Sequence, residues 1–539
     1  MITLDMPFSF PTSFFMLRPC RSLLLPVLAC CVLLFSCGKP SATVPDSFAE
    51  ADAPANIYPD YDSITIPSNI APLAFQVNDS LADAFVAAFS GVGKKEGTAG
   101  FVVAATADGI IQPDTADWRA LLQENRGGGI TVDVYSRHSD GWKHHRPLAI
   151  RVAEEPIDAY VSYRLIEPGY ELYRQLGLYQ RDLTSYDKAI IYENNRNYDN
   201  DENHCINCHN YQANDTKRML FHVRAQHGGT MIIDNGNIRK IAIKHDSILA
   251  AGVYPSWHPT LPLVAFSTNL TGQIFHMQHR ERIEVLDEAS DLLLYDAQTN
   301  SVCNIFRTDN QFETFPCWSP SGDRLYYASA NVVGLPDSVA PKDRGGWMME
   351  HYQDLKYNIW SIAFDANTRT FGEPRLEVDC ASEGKSGSVP RISPDGRFLL
   401  YTLADYGQFH IWHRTADLWM KPLADDTPSA LSGSFPLSAA NSDESDSYHA
   451  WSSNSRWVVF ASRRDDGNFT RLYIAYVDQD GRACKAFLMP QRDPRHNIRL
   501  LKSYNVPELT RTPISVSTEA IRDAVLHQEA ENSTMLPPA

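Results

Sequence analysis

The sequence has no positive charge to spare. It sets 48 Lys+Arg against 65 Asp+Glu over 539 residues, a formal net charge of −17. That balance argues against a surface tuned to a phosphate backbone, so no nucleic-acid partner is expected. A phosphate-cradling Gly-rich loop, a G-x-S-x-G elbow and an H-E-x-x-H pair are all missing, which removes the common signatures of nucleotide, serine-hydrolase and zinc-protease chemistry. No apolar run reaches the ~20 residues of a spanning helix. What remains, 43% apolar and 21% charged residues, is the composition of a packed chain of two or more modules or one large repeat fold.

The ten cysteines are unevenly placed, with Cys20, Cys30, Cys31 and Cys37 all near the start. The basic stretch Met16-Leu17-Arg18-Pro19-Cys20-Arg21 precedes an apolar run from Ser22 to Ser36, which suits a signal-peptide core. The run ends in Leu34-Phe35-Ser36-Cys37-Gly38, which resembles a bacterial lipobox, where small residues precede a cysteine that receives lipid. The expectation is a lipoprotein signal over 1–36, lipid on Cys37 and a flexible tether over 37–56; a buried helix or membrane anchor is the alternative. Removing 1–36 takes away Asp5, Arg18 and Arg21 and leaves a net charge of −18. The expected location is the bacterial cell envelope, on its oxidising side and held to the membrane by acyl chains. No acidic cluster follows Cys37, which points to a periplasm-facing rather than a surface-displayed protein.

Residues 57–156 read as a small β-sandwich-like domain. Ile64-Thr65-Ile66, Leu73–Val77 and Ile130–Tyr135 alternate with period two, and Phe101–Ala105 suits a buried strand. Ser80–Ser90 and Thr115–Glu124 read as helical or irregular. A tyrosine-bearing stretch from Pro156 to Asp187 (Tyr160, Tyr163, Tyr170, Tyr173, Tyr179) is expected to pack as a connection.

An internal repeat follows. Tyr254-Pro-Ser-Trp257, Phe315-Pro-Cys-Trp318, Val389-Pro-Arg-Ile392 and Tyr448-His-Ala-Trp451 each precede a turn and an alternating strand, with Trp257, Trp318, Ile392 and Trp451 spaced by 61, 74 and 59 residues. Each unit closes with a further strand, and Asp296, Asp365 and Asp478 end such strands at turns suited to Asx hydrogen bonding. One such sheet cannot bury both faces alone, so the units must stack radially. The pattern resembles the TolB-like, WD40-like (PD40) propeller repeat. That resemblance implies a mainly β fold whose propeller, over 230–510, has six blades; Thr230–Asp234, Ile238–Lys244 and Ala486–Pro490 are available to complete it. Residues 511–539 read as a tail.

His204-Cys205-Ile206-Asn207-Cys208-His209 contains C-x-x-C-H, the attachment pattern of one covalent haem c. Two thiols three positions apart on one turn can each add to a porphyrin vinyl group, and the adjacent His209 then serves as proximal iron ligand. This composition yields roughly 0.006 chance matches. A redox or structural disulfide between Cys205 and Cys208, and a zinc site using His204 or His209, are the alternatives. Met219, His222, His227 and Met231 follow closely, and Gly228-Gly229 permits a close approach of backbone to a flat ligand. His227, then His222, are the leading candidates for a second metal ligand, and Arg224 for a haem propionate. His276 and His279 are more remote candidates, and His258 is expected to be structural. The acidic stretches Asp199–Glu202 and Asp443–Asp446 suit solvated loops better than calcium sites. Cys303 and Cys317 flank a link between blades and are a candidate disulfide.

Taken with Glu154–Asp158, Tyr163–Glu171, Phe221–Arg224 and His227–Thr230, the haem motif and repeats are similar to a Bacteroidetes lipoprotein family in which a haem-motif segment (here 157–229) precedes TolB-like repeats, often labelled cytochrome c biosynthesis or TolB-like. The resemblance implies an envelope electron carrier or haem-based sensor with a redox partner protein. A propeller scaffold for an envelope protein or glycan, with haem structural or absent, is the alternative. Either way a carrier or binding protein is expected rather than an enzyme.

Overall fold

The structure, a computed structural model, describes residues 42–92, 100–167, 175–196, 203–278, 281–308, 310–332, 339, 343–423 and 429–538. The expected signal, Cys37, the first residues of the tether, Tyr170, Tyr173, Asp199–Glu202 and His279 lie outside the described residues.

In the N-terminal region the strand Gly129–His138 is central to a mixed sheet. Ala84–Val92 runs along one of its edges, while Gly141–Arg146 and Leu148–Val152 share the other. Ser80–Ser90, expected as helical or irregular, thus mostly enters a strand: Phe85, Ala87 and Phe89 alternate into the core, and burial of one strand face decides the period that an Ala-rich run leaves ambiguous. Thr115–Glu124 is a helix. Asp114 caps it by accepting from the Ala116 and Asp117 backbone N–H groups at 2.7 and 3.4 Å. Trp118, Leu121 and Leu122 fall on one face at i, i+3 and i+4 and are buried. A three-stranded sheet of Ile57–Tyr58, Phe75–Val77 and Ile110–Ile111 completes this region. Its core continues without a break into Trp457, Val459, Ile474 and Phe487 of the repeat region, so the two are packed as one body.

The rest of the described chain is dominated by six sheets of four or five strands. Their inner strands are His204–Gln212, Gly252–Trp257, Gln311–Trp318, Ser386–Ile392, Asp446–Trp451 and Ser503–Thr510. Each inner strand touches the next, and Ser503–Thr510 touches His204–Gln212 in turn. The arrangement is mainly β and propeller-like. The sheets begin well before residue 230. Tyr160–Ile166, Leu176–Asp182 and Lys188–Glu193, expected as a connecting segment, form a sheet with the late strand Ser503–Thr510, in which Val161 faces Leu509. One sheet built from both ends of the region ties those ends together. The tail is also structured: Glu531–Asn532 and Thr534–Met535 add edge strands to two sheets, and Ser517 caps the helix Thr518–His527.

A local distortion recurs in every inner strand. Cys208, Tyr254, Phe315, Val389, Tyr448 and Val506 all adopt positive φ, at 53°, 46°, 51°, 52°, 48° and 47°. The pairing register slips at each of these places. This is the geometry of a β-bulge, which inserts a residue and re-aims the side chains beside it. The turns read from sequence are present: Gly396 (φ 74°) donates its N–H to the Ser393 carbonyl at 2.7 Å, and Gly322 (φ 76°) to that of Ser319 at 3.0 Å. Asp296, Asp365 and Asp478 each accept from the backbone N–H two residues on, at 2.9, 2.8 and 2.9 Å.

Candidate functional site

A cavity of about 780 Å³ opens among the inner strands. Five of the six bulge residues line it, Cys208, Tyr254, Phe315, Tyr448 and Val506, because the repeated bulge turns one side chain per sheet towards the same space. Tyr254 and Phe315 pack at a tilt of 31° with centroids 4.0 Å apart, and Tyr448 meets Phe315 edge-on at 6.2 Å.

The C-x-x-C-H motif lies on a strand, not on a helical turn. A spacing of three on a regular strand puts two side chains on opposite faces. The bulge at Cys208 changes that parity, and both Cys205 and Cys208 line the cavity. Both thiols are free, so the disulfide alternative is not realised in this structure. Burial raises the pKa of Cys205. His209 also lines the cavity and is 2% exposed. Neither of its ring nitrogens has a well-formed hydrogen bond. Burial, with help from the Arg164 charge, outweighs a favourable Ser162 backbone group and holds its pKa down to about 3. The ring is therefore the neutral imidazole that a metal requires. Arg164 donates to the Ile206 carbonyl at 3.1 Å, and Arg224 pairs in register with Cys205; both reach the cavity.

The other sequence candidates are elsewhere. His222 is 3% exposed in the strand Asp215–Ala225, with Nδ1 2.9 Å from Thr230 Oγ1, and its ring meets Phe266; it does not line the cavity. Burial holds its pKa down to about 3. His227 packs edge-on against His204 with centroids 5.0 Å apart and is likewise not among the lining residues. Met219 and Met231 are core residues. His276 does line the cavity, carried on the long hairpin Leu263–Phe275 and Ile283–Asp296. His258 holds a turn: its Nδ1 accepts from the Thr260 and Leu261 N–H groups at 3.2 and 3.0 Å, and its Nε2 lies 3.0 Å from the Gly322 carbonyl. Among the described residues no group of three or more His, Cys, Asp or Glu is placed to hold a metal ion, which leaves the zinc alternative without its ligand set. Cys303 and Cys317 are free, so that candidate disulfide is not formed. Asp446 is buried and bonded to Ser442 and Arg464 rather than open to solvent. Among the described residues no helix is long and apolar enough to cross a membrane.

Sequence reasoning missed several lining residues. Arg391 sits on the inner strand Ser386–Ile392. Arg463 is 3% exposed, lies 3.3 Å from the Trp412 ring centroid and donates to the Ile411 carbonyl at 2.6 Å. Burial lowers its pKa to about 9. Glu508, on the last inner strand, accepts from Asn210 Nδ2 and the Tyr211 N–H at 2.7 and 3.1 Å, and burial raises its pKa to about 7.

No protein-family model matches the chain, and no curated protein matches it. Among solved structures it is similar to the tricorn protease, with 12% identity over 66% of this chain and 33% of that one and a TM-score of 0.32. It is also similar to the luciferin-regenerating enzyme (12%, 60% and 94%, 0.33) and to the β-propeller domain of the Trilobed protease from Pyrococcus furiosus (11%, 68% and 91%, 0.31). The chain spans about a third of the tricorn protease's length. Likeness at this level says nothing of chemistry.

Proposed function

We propose that this chain is a membrane-tethered, monohaem c-type cytochrome-like lipoprotein on a six-bladed, TolB-like propeller, acting in electron transfer or haem-based sensing in the cell envelope with a redox partner protein. One observation carries the reading: two free thiols at C-x-x-C spacing and a neutral, buried imidazole with no well-formed hydrogen bond reach a single cavity. That donor set fits the group. Cys205 and Cys208 would hold the porphyrin edge, His209 would be the proximal ligand, and Arg164 and Arg224 would meet propionates. A haem there supplies a one-electron centre. The protein's own share is to exclude water with Tyr254, Phe315 and Tyr448, to keep His209 deprotonated and to set basic charge at one side. His227 and His222 remain candidates for the second ligand only with a rearrangement of the strand Asp215–Ala225, whereas His276 already faces the cavity. The ring of six inner strands supports the blade number.

A haem stain of the chain expressed with attachment machinery tests the reading. The expected result is a stained, coloured protein that loses the stain in Cys208→Ala; a colourless wild type sinks it. A second reading, a scaffold for an envelope protein or glycan, is favoured by one fact. Cys208-His209 occupies the positions where the repeat places an apolar residue and Pro, and His449 stands at the same place in another sheet as a structural residue, 3.2 Å from the Leu400 carbonyl. A stoichiometric envelope partner retained by Cys205→Ala in a pull-down, with no stain, supports that reading instead.

A further inference from the structure

The wall of the cavity carries Arg164, Arg224, Arg282, Arg391 and Arg463. Two carboxylates accompany them. Glu167 is 3.6 Å from Lys502 Nζ, and Glu508 is held by Asn210 and Tyr211. Among the described residues none of the five arginines is within ion-pair distance of a carboxylate. Three of them spend hydrogen bonds on main-chain carbonyls: Arg164 on Ile206, Arg391 on Pro390 and Arg463 on Ile411. Such bonds fix a guanidinium without neutralising it.

This concentration is unusual in its setting. The whole chain is strongly acidic, with a net charge of −17, yet the arginines meet in one recess from separate sheets. Arg164 comes from the first sheet, Arg224 from the second, Arg282 from beside the long hairpin and Arg391 from the Ser386–Ile392 strand. Arg463 follows the strand Trp457–Ser462 and is itself nine-tenths buried. Only Arg463 among the five is buried, while Arg164 and Arg391 are half-buried and Arg224 and Arg282 are exposed to the recess; the cost of an uncompensated buried charge therefore falls on Arg463. Glu508 acts on Arg391, and Asp466 and Glu444 on Arg463, at longer range than an ion pair. Arg guanidinium groups match carboxylates in a bidentate way, and the aromatic wall of Tyr254, Phe315, Tyr448 and Trp412 suits a flat, apolar body.

We infer that this cavity is a recognition site for an organic anion bearing two or more carboxylates, held by the arginine wall whether or not it is covalently attached. The inference rests on the haem reading for one source of those carboxylates, the propionate edge of a tetrapyrrole. A free di- or tricarboxylate is the other source. The carboxylate-binding groups are the arginines and the attachment groups the cysteines, different residues that can be replaced one set at a time, so the two ideas can fail independently.

The test uses the full chain carrying Cys205→Ala and Cys208→Ala, which cannot form thioethers. Three probes are titrated: metal-free protoporphyrin IX, its dimethyl ester, and citrate. Saturable binding of protoporphyrin, with the ester at least about tenfold weaker, supports the inference and names the tetrapyrrole as source. Arg224→Gln and Arg391→Gln should each weaken that binding about tenfold while the circular dichroism spectrum and melting midpoint stay put. The ester arm needs no arginine variant, so it decides the matter even if one of them misfolds. Citrate binding with the same arginine dependence, and no porphyrin binding, also supports the site and assigns the free acid as its source. Equal affinity for acid and ester, or a folded chain that takes neither protoporphyrin nor citrate, overturns the inference. It does so even where the wild type stains for haem. Arginine-dependent binding in a chain whose wild type never stains leaves the inference standing and removes the haem reading.

Discussion

Position 209 is where a structural and a chemical role for histidine can be told apart. In the six inner strands the residue after the bulge is His209, Pro255, Pro316, Pro390, His449 and Pro507. The repeat therefore accepts proline there, and the pairing of His204–Gln212 with its neighbour skips residues 208 and 209. The ring of His449 at the equivalent place lies 3.2 Å from the Leu400 carbonyl, whereas the ring of His209 makes no well-formed hydrogen bond. His209→Pro should consequently fold, with a denaturation midpoint within about 1 kcal/mol of wild type. It should also change the visible spectrum of the stained protein through loss of the proximal ligand. An unfolded variant assigns His209 a structural task, and an unchanged spectrum removes it from the iron. A second residue is constrained by space rather than chemistry. A Cβ on Gly322 would lie 2.4 Å from His258 Nε2, at a φ of +76° that L residues rarely adopt. Gly322→Ala is expected to cost about 1–3 kcal/mol in urea denaturation, more than a surface Gly→Ala change such as one at Gly346, where a Cβ meets nothing within 4 Å.

At the scale of elements, ring closure rests on one late strand. Ser503–Thr510 pairs antiparallel with Tyr160–Ile166, and Glu508 ties it sideways to Asn210 and Tyr211. Leu509→Pro removes an N–H from that ladder and a buried apolar side chain; a loss of about 3 kcal/mol and a broadened, less cooperative unfolding transition are expected. A sharp transition at the wild-type midpoint would mean the closure carries little. Four of the six inner strands were legible in the sequence because Trp257, Trp318, Ile392 and Trp451 follow an apolar residue and a Pro or His at fixed offset. Val506-Pro507-Glu508-Leu509 has the same pattern as Val389-Pro390-Arg391-Ile392, but it lies far from the sheet it completes, and pairing across more than 300 residues leaves no local trace. Cys208-His209-Asn210-Tyr211 is the sixth copy, hidden because its residues read as a cofactor motif. The cysteines and His209 were readable for that reason. Arg391, Arg463 and Glu508 were not, since the cavity takes a residue or two from each sheet and adjacency exists only after the ring has formed.

Across the whole molecule, burial has pushed two sets of titratable groups in opposite directions. Asp287 and Glu508 are raised to about 7 and Glu313 to about 8, each chiefly by burial. His209, His222, His410 and His449 are lowered to about 3, again chiefly by burial. The signs follow from linkage. A carboxyl whose folded pKa exceeds its unfolded value of 3.8 or 4.5 contributes stability that is complete below about pH 4 and is lost as the pH rises through 7 to 8. A histidine depressed from 6.5 contributes stability that is complete above about pH 6.5 and is lost as the pH falls towards 3. Asp417 is raised as well, to about 6, chiefly by burial, so between about pH 4.5 and 6 four carboxyls and four histidines oppose one another and nearly cancel. Outside that window each set acts alone, by up to about 1.4 kcal/mol per pH unit for each group. The haem-free Cys205→Ala/Cys208→Ala chain should therefore show a flat melting midpoint across that window and a decline on both sides. Glu508→Gln keeps an acceptor for Asn210 or Tyr211 but cannot ionise, so it should shallow the decline on the alkaline side and leave the acid side unchanged. His449→Gln should do the reverse. A midpoint that climbs steadily from pH 5 to pH 8 would show that these carboxyls ionise without penalty, and with that the dry interior drawn around the cavity would have to be abandoned.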